Sequence, residues 1–274
     1  MSSRISSVPL YLHPERVEEE LAAIGLGPEA ELTVDQVAPF DQMHYYGNIS
    51  VAGAVGRLGL VPGSRVVDIG SGFGGPARYL AQNIGCLVTA IELQSAVHAA
   101  AVQFTKRCRL SHRVMHVCAD ALDYPLPDAT YDAVVSWLAI LHIPDRPRLL
   151  TRVARALRAG GGCYIEDCIR QTSVTKENLD DLASFLYGPS LSGIAEYETD
   201  LAAAGFRDIQ ATDMTENWAR FVATRLAAFE SDRTRYVRVH GVPAYETLRR
   251  FYADIVRFFE SGTLGGIRIV ARLP

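Results

Sequence analysis

Three carboxylates and an imidazole stand where short apolar runs of this chain stop. Asp68 follows "VV" and precedes a glycine-rich turn, Glu92 ends "LVTAIE", Asp120 ends "RVMHVCAD", and His142 follows the apolar "LAIL". A carboxylate at a strand end can accept hydrogen bonds from hydroxyl or amino groups, or face a cation. An imidazole titrates near neutral pH and can take a proton from a reacting group. The turn after Asp68 satisfies two patterns at once. Gly70-x-Gly72-x-x-Gly75 is the spacing of a dinucleotide-binding turn, and Asp68-x-Gly70-x-Gly72-x-Gly74 is that of a nucleoside-binding loop. Any tight strand-to-helix turn needs glycines, so the choice rests on the other residues.

The elements that must position these residues follow from an alternation between positions 64 and 167. Strands are expected at "RVVDIG", "LVTAIE", "RVMHVCAD", "YDAVVSW" and "GGGCYIED", with helices between them at "GGPARYLAQNI", "SAVHAAAVQFTKRC" and "RPRLLTRVARALRA". In the last of these, Leu149, Leu150, Val153 and Leu157 share one face. Gly160, Gly161 and Gly162 are expected to stop that helix as a C-cap. Strands alternating with helices imply an α/β, doubly wound parallel sheet covered on both faces.

Residues 1–60 are expected to form an N-terminal helical cap, with helices at "PERVEEELAAI" and "NISVAGAVGRLGL". Residues 61–274 form the main domain, interrupted at about 214–262 by a helical insertion, "ARFVATRLAAFE" and "AYETLRRFYADIVRFFESG", before a final strand "GGIRIVARLP". Such a lid should lie over the carboxyl ends of the strands, where ligands bind in open α/β sheets.

The bulk composition narrows the partners. A formal charge of −4 over 274 residues offers no broad basic field for nucleic acid. No apolar run approaches the roughly 20 residues of a membrane span, and the start of the chain shows no secretory apolar core. The five cysteines, Cys86, Cys108, Cys118, Cys163 and Cys168, form no C-x-x-C pair and are expected as free, mostly buried thiols without a metal. A cytoplasmic monomer or homodimer acting on a small molecule is the expectation.

Charge at the first strand bears on the cofactor, and the end of the third strand discriminates. A pyrophosphate would be repelled by Asp68, whereas a cationic ligand would be accepted there. Glu92 suits two ribose hydroxyls in either case. Asp120 and the neighbouring Ala121 N–H suit the amino group and a ring nitrogen of adenine. Together with "PLPDATYD" and "ARALRAGGGCYIED", these motifs make residues 64–170 resemble the class I S-adenosylmethionine-dependent methyltransferases. "FDQMHYYGN", "LAILHIPD" and the terminal "FYADIVRFFESGTLGGIRIVARLP" resemble the sarcosine/dimethylglycine methyltransferases, relatives of the phosphoethanolamine methyltransferases.

That resemblance implies a Rossmann-like sheet of seven strands with the last antiparallel, and S-adenosylmethionine as cofactor. Gln42 and Tyr45 or Tyr46 would close over the methionine end, with Tyr46 also a catalytic candidate. Gly70, Gly72, Glu92, Leu93, Asp120 and Ala121 would bind the nucleoside, and Trp137 would sit near the methyl group. The phosphoethanolamine enzymes carry a catalytic histidine that matches His142. The implied reaction is N-methylation of a small amine such as sarcosine or dimethylglycine. One departure points elsewhere. Relatives that methylate amines often carry an acid where this chain has Leu138, which favours O-, C- or S-methylation of a less polar metabolite. A cofactor-binding protein without turnover is the reading from a different class. His240 is a candidate substrate contact, and Trp218, Tyr236 and Tyr187 are lid candidates expected mainly to pack.

Overall fold

The protein is described by a computed structural model covering residues 13–171, 175–189 and 191–274. Three helices come first: α1 (Arg16–Ala23), α2 (Val34–Asp41) and α3 (Asn48–Leu58). The alternating region follows, as β1 (Arg65–Ile69), α4 (Gly75–Tyr79, continued by a wide turn over Leu80–Ile84), β2 (Leu87–Glu92), α5 (Ser95–Arg107), β3 (Val114–Cys118), β4 (Tyr131–Trp137), α6 (Arg146–Ala156) and β5 (Leu157–Arg170). The chain ends with α7 (Lys176–Leu186), α8 (Ile194–Ala203), β6 (Arg207–Asp213), α9 (Thr215–Ser231), α10 (Arg233–Glu260) and β7 (Leu264–Arg272).

The seven strands form one sheet in the order β3-β2-β1-β4-β5-β7-β6. The pairs among β1 to β5 are parallel, and β7 runs antiparallel to its neighbours β5 and β6. The chain moves outward from β1 to β3, then restarts at β4 on the other side of β1. That reversal opens a crevice at the carboxyl ends of β1 and β4, the place where such sheets bind ligands.

Alternate side chains of each strand enter opposite cores. Val66, Val88, Ala133 and Val135 pack with α1 to α5, whereas Val67, Ile69, Val134, Ile165 and Ile267 pack with α6 and α8. Burial on both faces explains why the central strands read as nearly unbroken apolar runs. A third cluster joins Trp218 and Val222 of α9 to Leu248, Phe251, Tyr252 and Ile255 of α10, with Tyr45, Leu141 and Cys168 beneath them. The helices of the insertion therefore cover the carboxyl end of the sheet. Helix α10 breaks at Gly241, which takes φ 83° and ψ 165° ahead of Pro243.

One local expectation needs correction, and one strand was not anticipated. The glycine triplet does not cap α6. That helix stops at Ala156, and Leu157 already pairs with Tyr131. Residues 158–161 bulge out, with Gly160 at φ 74°, before Gly162 resumes pairing with Ala133. Strand β6, "RDIQATD", gave no signal of its own. It lies at the sheet edge with mostly exposed residues, so it lacks the apolar alternation that marks a strand.

Candidate active site

The crevice is a cavity roofed by the insertion. Its walls include Asp68, Gly70, Gly72, Glu92, Leu93, Asp120, Ala121, Trp137 and His142 from the sheet side, and Tyr45 from the segment after α2. These ten expected residues meet in one place, although they come from six separate stretches of chain.

The turn after β1 shows why glycine is required there. Gly70 has φ +70°, and a Cβ at that position would lie 2.2 Å from the Ala139 Cβ. Glu92 holds the same turn. Its Oε2 accepts the Gly72 N–H at 2.9 Å and its Oε1 accepts the Gln94 N–H at 2.8 Å. Burial raises its carboxyl pKa, and those backbone bonds oppose the rise. Asp68 is 1% exposed, and its Oδ2 has no hydrogen-bond partner among the described residues. Burial and then the Glu92 charge push its pKa up to about 7. Asp120 Oδ1 accepts the Leu122 N–H at 2.8 Å, which fixes the loop after β3 while the residue faces the cavity.

A third buried carboxylate bears on the same turn. A Cβ at Gly75, the first residue of α4, would lie 2.7 Å from Asp41 Oδ1. Asp41 is itself paired with the buried Arg78, so the uncompensated charge a pyrophosphate would meet is that of Asp68. The site is built for a ligand that carries positive charge and hydrogen-bond donors, not for a dinucleotide.

Trp137 is held from behind. Its Nε1 donates to Ser50 Oγ at 2.8 Å, and Ser50 donates to Glu166 Oε2 at 2.7 Å. Glu166 Oε1 also accepts from Tyr164 at 2.6 Å and from Arg268 at 2.8 Å. His44 lies tilted against the Trp137 ring, and burial lowers its pKa to about 4, so it is neutral. None of these supports was legible in the sequence beforehand. The acid inside the apolar "CYIED" run was the available hint at Glu166.

His142 Nδ1 lies 2.8 Å from the Tyr187 carbonyl oxygen, which only accepts. The ring hydrogen is therefore on Nδ1, and the basic site of the neutral ring is Nε2. Burial lowers its pKa, and the bond to the Tyr187 carbonyl offsets part of that shift.

Gln42 and Tyr46 are not brought into the cavity wall. The Gln42 amide is tied to the Asn48 side chain. Tyr46 sits at φ 61°, and its hydroxyl donates to the Asn217 carbonyl of α9 at 2.9 Å. Its phenol thus docks the entry segment onto the lid. His240 is also elsewhere, bonded to Glu19 at 2.6 Å and Glu20 at 2.9 Å, where it links α10 to α1. Trp218 and Tyr236 pack inside the lid, whereas Tyr187 reaches the cavity. Among the described residues no cluster of three or more His, Cys, Asp or Glu is arranged to hold a metal, and no helix is long and apolar enough to cross a membrane.

Comparison with known proteins agrees with this geometry. Residues 67–165 match the family described as a methyltransferase domain. The 27-O-demethylrifamycin SV methyltransferase of Amycolatopsis mediterranei is 30% identical over 224 residues, covering 80% of each chain. The glycine/sarcosine/dimethylglycine N-methyltransferase of Actinopolyspora halophila is 30% identical over 161 residues, which is 59% of this chain and 28% of that one. Phosphoethanolamine N-methyltransferase 2 of Haemonchus contortus has the same fold, with a TM-score of 0.84 at 22% identity, covering 99% of this chain and 59% of that one. The chain thus spans less than two thirds of the length of each of these last two relatives. It belongs to the class I S-adenosylmethionine-dependent methyltransferases.

Proposed function

We propose that the protein transfers a methyl group from S-adenosylmethionine to a small-molecule acceptor held between the sheet and the helices of the insertion. The observation that carries this conclusion is the unpartnered Oδ2 of Asp68, buried beside Glu92 at the reversal of strand order. Two buried carboxylates are costly without donors or positive charge nearby. The ammonium group and ribose hydroxyls of S-adenosylmethionine supply both. Glu92 would take the ribose, Asp120 and Ala121 the adenine, and Asp68 the amino-acid end. Gly70, Gly72 and Leu93 would line the approach, and Tyr45 and Trp137 would flank the methyl end.

When bound, this cofactor supplies a methyl group already activated on a sulfonium. What remains for the chain is to bind, to orient the acceptor and to keep water out. His142 adds proton acceptance at Nε2. Because burial holds its pKa below the usual histidine value, the ring is neutral at neutral pH. With an acceptor that must lose a proton, His142→Ala is expected to lower kcat at neutral pH by about 10²- to 10⁴-fold. The wild-type rate should hold steady as pH falls to the usual histidine range and drop only below it. Matching pH profiles for the two proteins would demote His142 to a packing role.

The favoured acceptor is the nitrogen of a small amine such as sarcosine or dimethylglycine, a choice supported by the Actinopolyspora relative. Leu138 supports a second reading, with oxygen, carbon or sulfur of a less polar metabolite as the nucleophile. It lines the cavity where a carboxylate would hold a cationic amine. Labelled methyl transfer from S-adenosylmethionine into two pools separates them. One pool holds glycine, sarcosine, dimethylglycine and ethanolamine-type amines, and the other holds phenols, hydroxy acids and thiols. Counts in the first pool support the amine, and counts only in the second support the alternative. Binding of S-adenosylhomocysteine with no counts in either pool would indicate a protein without turnover.

A further inference from the structure

One cation on the wall of the cavity has no anionic partner among the described residues. Arg225, on α9, is the single Lys or Arg among the described residues lining the space that holds Asp68, Glu92 and Asp120. Its guanidinium carbon lies 4.4 Å from the ring centre of Tyr252, 5.0 Å from that of Tyr45 and 5.7 Å from that of Phe221. Its Nε is buried and has no hydrogen-bond partner among the described residues. Among those residues, no carboxylate forms an ion pair with it. The residues outside the described set, 1–12, 172–174 and 190, contain no Asp or Glu.

Aromatic faces offset part of the cost of drawing a guanidinium out of water. The ring faces accept none of its N–H groups; the Tyr45 hydroxyl takes one hydrogen bond from the guanidinium, and the remaining donors of the planar fork stay available. That fork matches the paired oxygens of a carboxylate or a phosphate better than any other common group. The packed rings also fix the side chain, so little ordering remains to be done when an anion arrives. The other charges of the cavity reinforce the polarity. Its acids sit at the strand ends, where they would repel an anion, and Arg225 sits in the cover.

We infer that Arg225 anchors an anionic group of the methyl acceptor, a carboxylate or a phosphate monoester, at the lid end of the cavity. The inference rests on the methyltransferase reading, because it assigns the remaining space to the acceptor. An acceptor that is only a cation would be repelled by Arg225 and would find Leu138 in place of an acid. An amino acid or a phosphorylated amine satisfies both ends.

The test uses the full chain saturated with S-adenosylhomocysteine, with acetate, dimethylglycine, inorganic phosphate, phosphoethanolamine and choline titrated calorimetrically. The wild type is expected to bind at least one of the four non-choline probes at millimolar concentration and to ignore choline. Arg225→Gln should weaken that binding by about 30-fold or more. Arg225→Lys, which keeps the charge and loses the fork, should fall between the two, and affinity for S-adenosylhomocysteine should be unchanged in both variants. A preference for acetate and dimethylglycine assigns a carboxylate, and a preference for phosphate and phosphoethanolamine assigns a phosphate. Equal anion binding by Arg225→Gln, tighter binding of choline than of dimethylglycine, or no anion binding to the loaded wild type would each overturn the inference. Failure of the wild type to bind S-adenosylhomocysteine would instead overturn the methyltransferase reading beneath it.

Discussion

Glu92→Ala is expected to weaken S-adenosylhomocysteine binding by about two orders of magnitude, because it removes a charged acceptor from several hydrogen bonds at once. The Glu92 carboxylate is 7% exposed and holds the Gly72 and Gln94 N–H groups at 2.9 and 2.8 Å. Truncation leaves those donors unmet in a buried turn and deletes the partner proposed for the ribose hydroxyls. Glu92→Gln separates these contributions, since it keeps the volume and exchanges one acceptor for a donor. Isothermal titration of S-adenosylhomocysteine into each variant, with melting curves to confirm folding, gives the readout. Wild-type affinity in Glu92→Ala would sink the cofactor assignment. Asp68 adds a pH signature. Its carboxyl, pushed up to about 7 by burial and the Glu92 charge, loses that charge as pH falls through this value. The affinity for a ligand bearing an ammonium group should therefore decline as pH drops from above 7 to below it, by the sign of the linkage.

Asp41→Ala is expected to cost about 3–5 kcal/mol of stability, the range for breaking one side of a buried ion pair. In a chain of this size that corresponds to a melting temperature lower by about 10 °C. Arg78 is 0% exposed, and its Nη2 lies 2.5 Å from Asp41 Oδ2. The same guanidinium donates to the Phe73 carbonyl at 2.6 Å and to Thr105 Oγ1 at 3.0 Å. Without Asp41, a buried positive charge remains with neutral partners alone. Because Asp41 fills the space where a Gly75 side chain would stand, the turn should loosen and affinity for S-adenosylhomocysteine should fall with stability. The double variant Asp41→Leu, Arg78→Met should recover much of the lost stability, since apolar groups of similar volume often replace a buried pair without loss. An unchanged melting temperature in Asp41→Ala would show that the pair does not anchor α2 to α4.

The turn around Gly70 was readable because its constraint is local. A positive φ and a close backbone approach demand glycine whatever surrounds them. Strands β1, β2, β4 and β5 were readable because burial on both faces writes a continuous apolar run. Edge strand β6 escaped because exposure erased that pattern, and the glycine bulge of β5 was misassigned because a C-cap and a bulge call for the same residue. Tyr45 and Tyr46 illustrate a different limit. Adjacent in sequence and alike in chemistry, they part at the positive φ of Tyr46, which leaves one phenol at the cavity and the other on the Asn217 carbonyl.

By itself the sequence determined the alternating architecture, the acids and glycines that meet at the cavity, and the family, through glycine geometry, apolar periodicity and acids at strand ends. Tertiary structure alone decided which buried charges meet. Asp41 finds Arg78, Glu166 supports Trp137 through Ser50, and Arg225 lies on the cavity wall with no ion pair among the described residues. The physical reason is range. Backbone conformation and burial face are set within a few residues, whereas the partner of a buried charge is chosen by through-space contacts between distant segments, which no local pattern records.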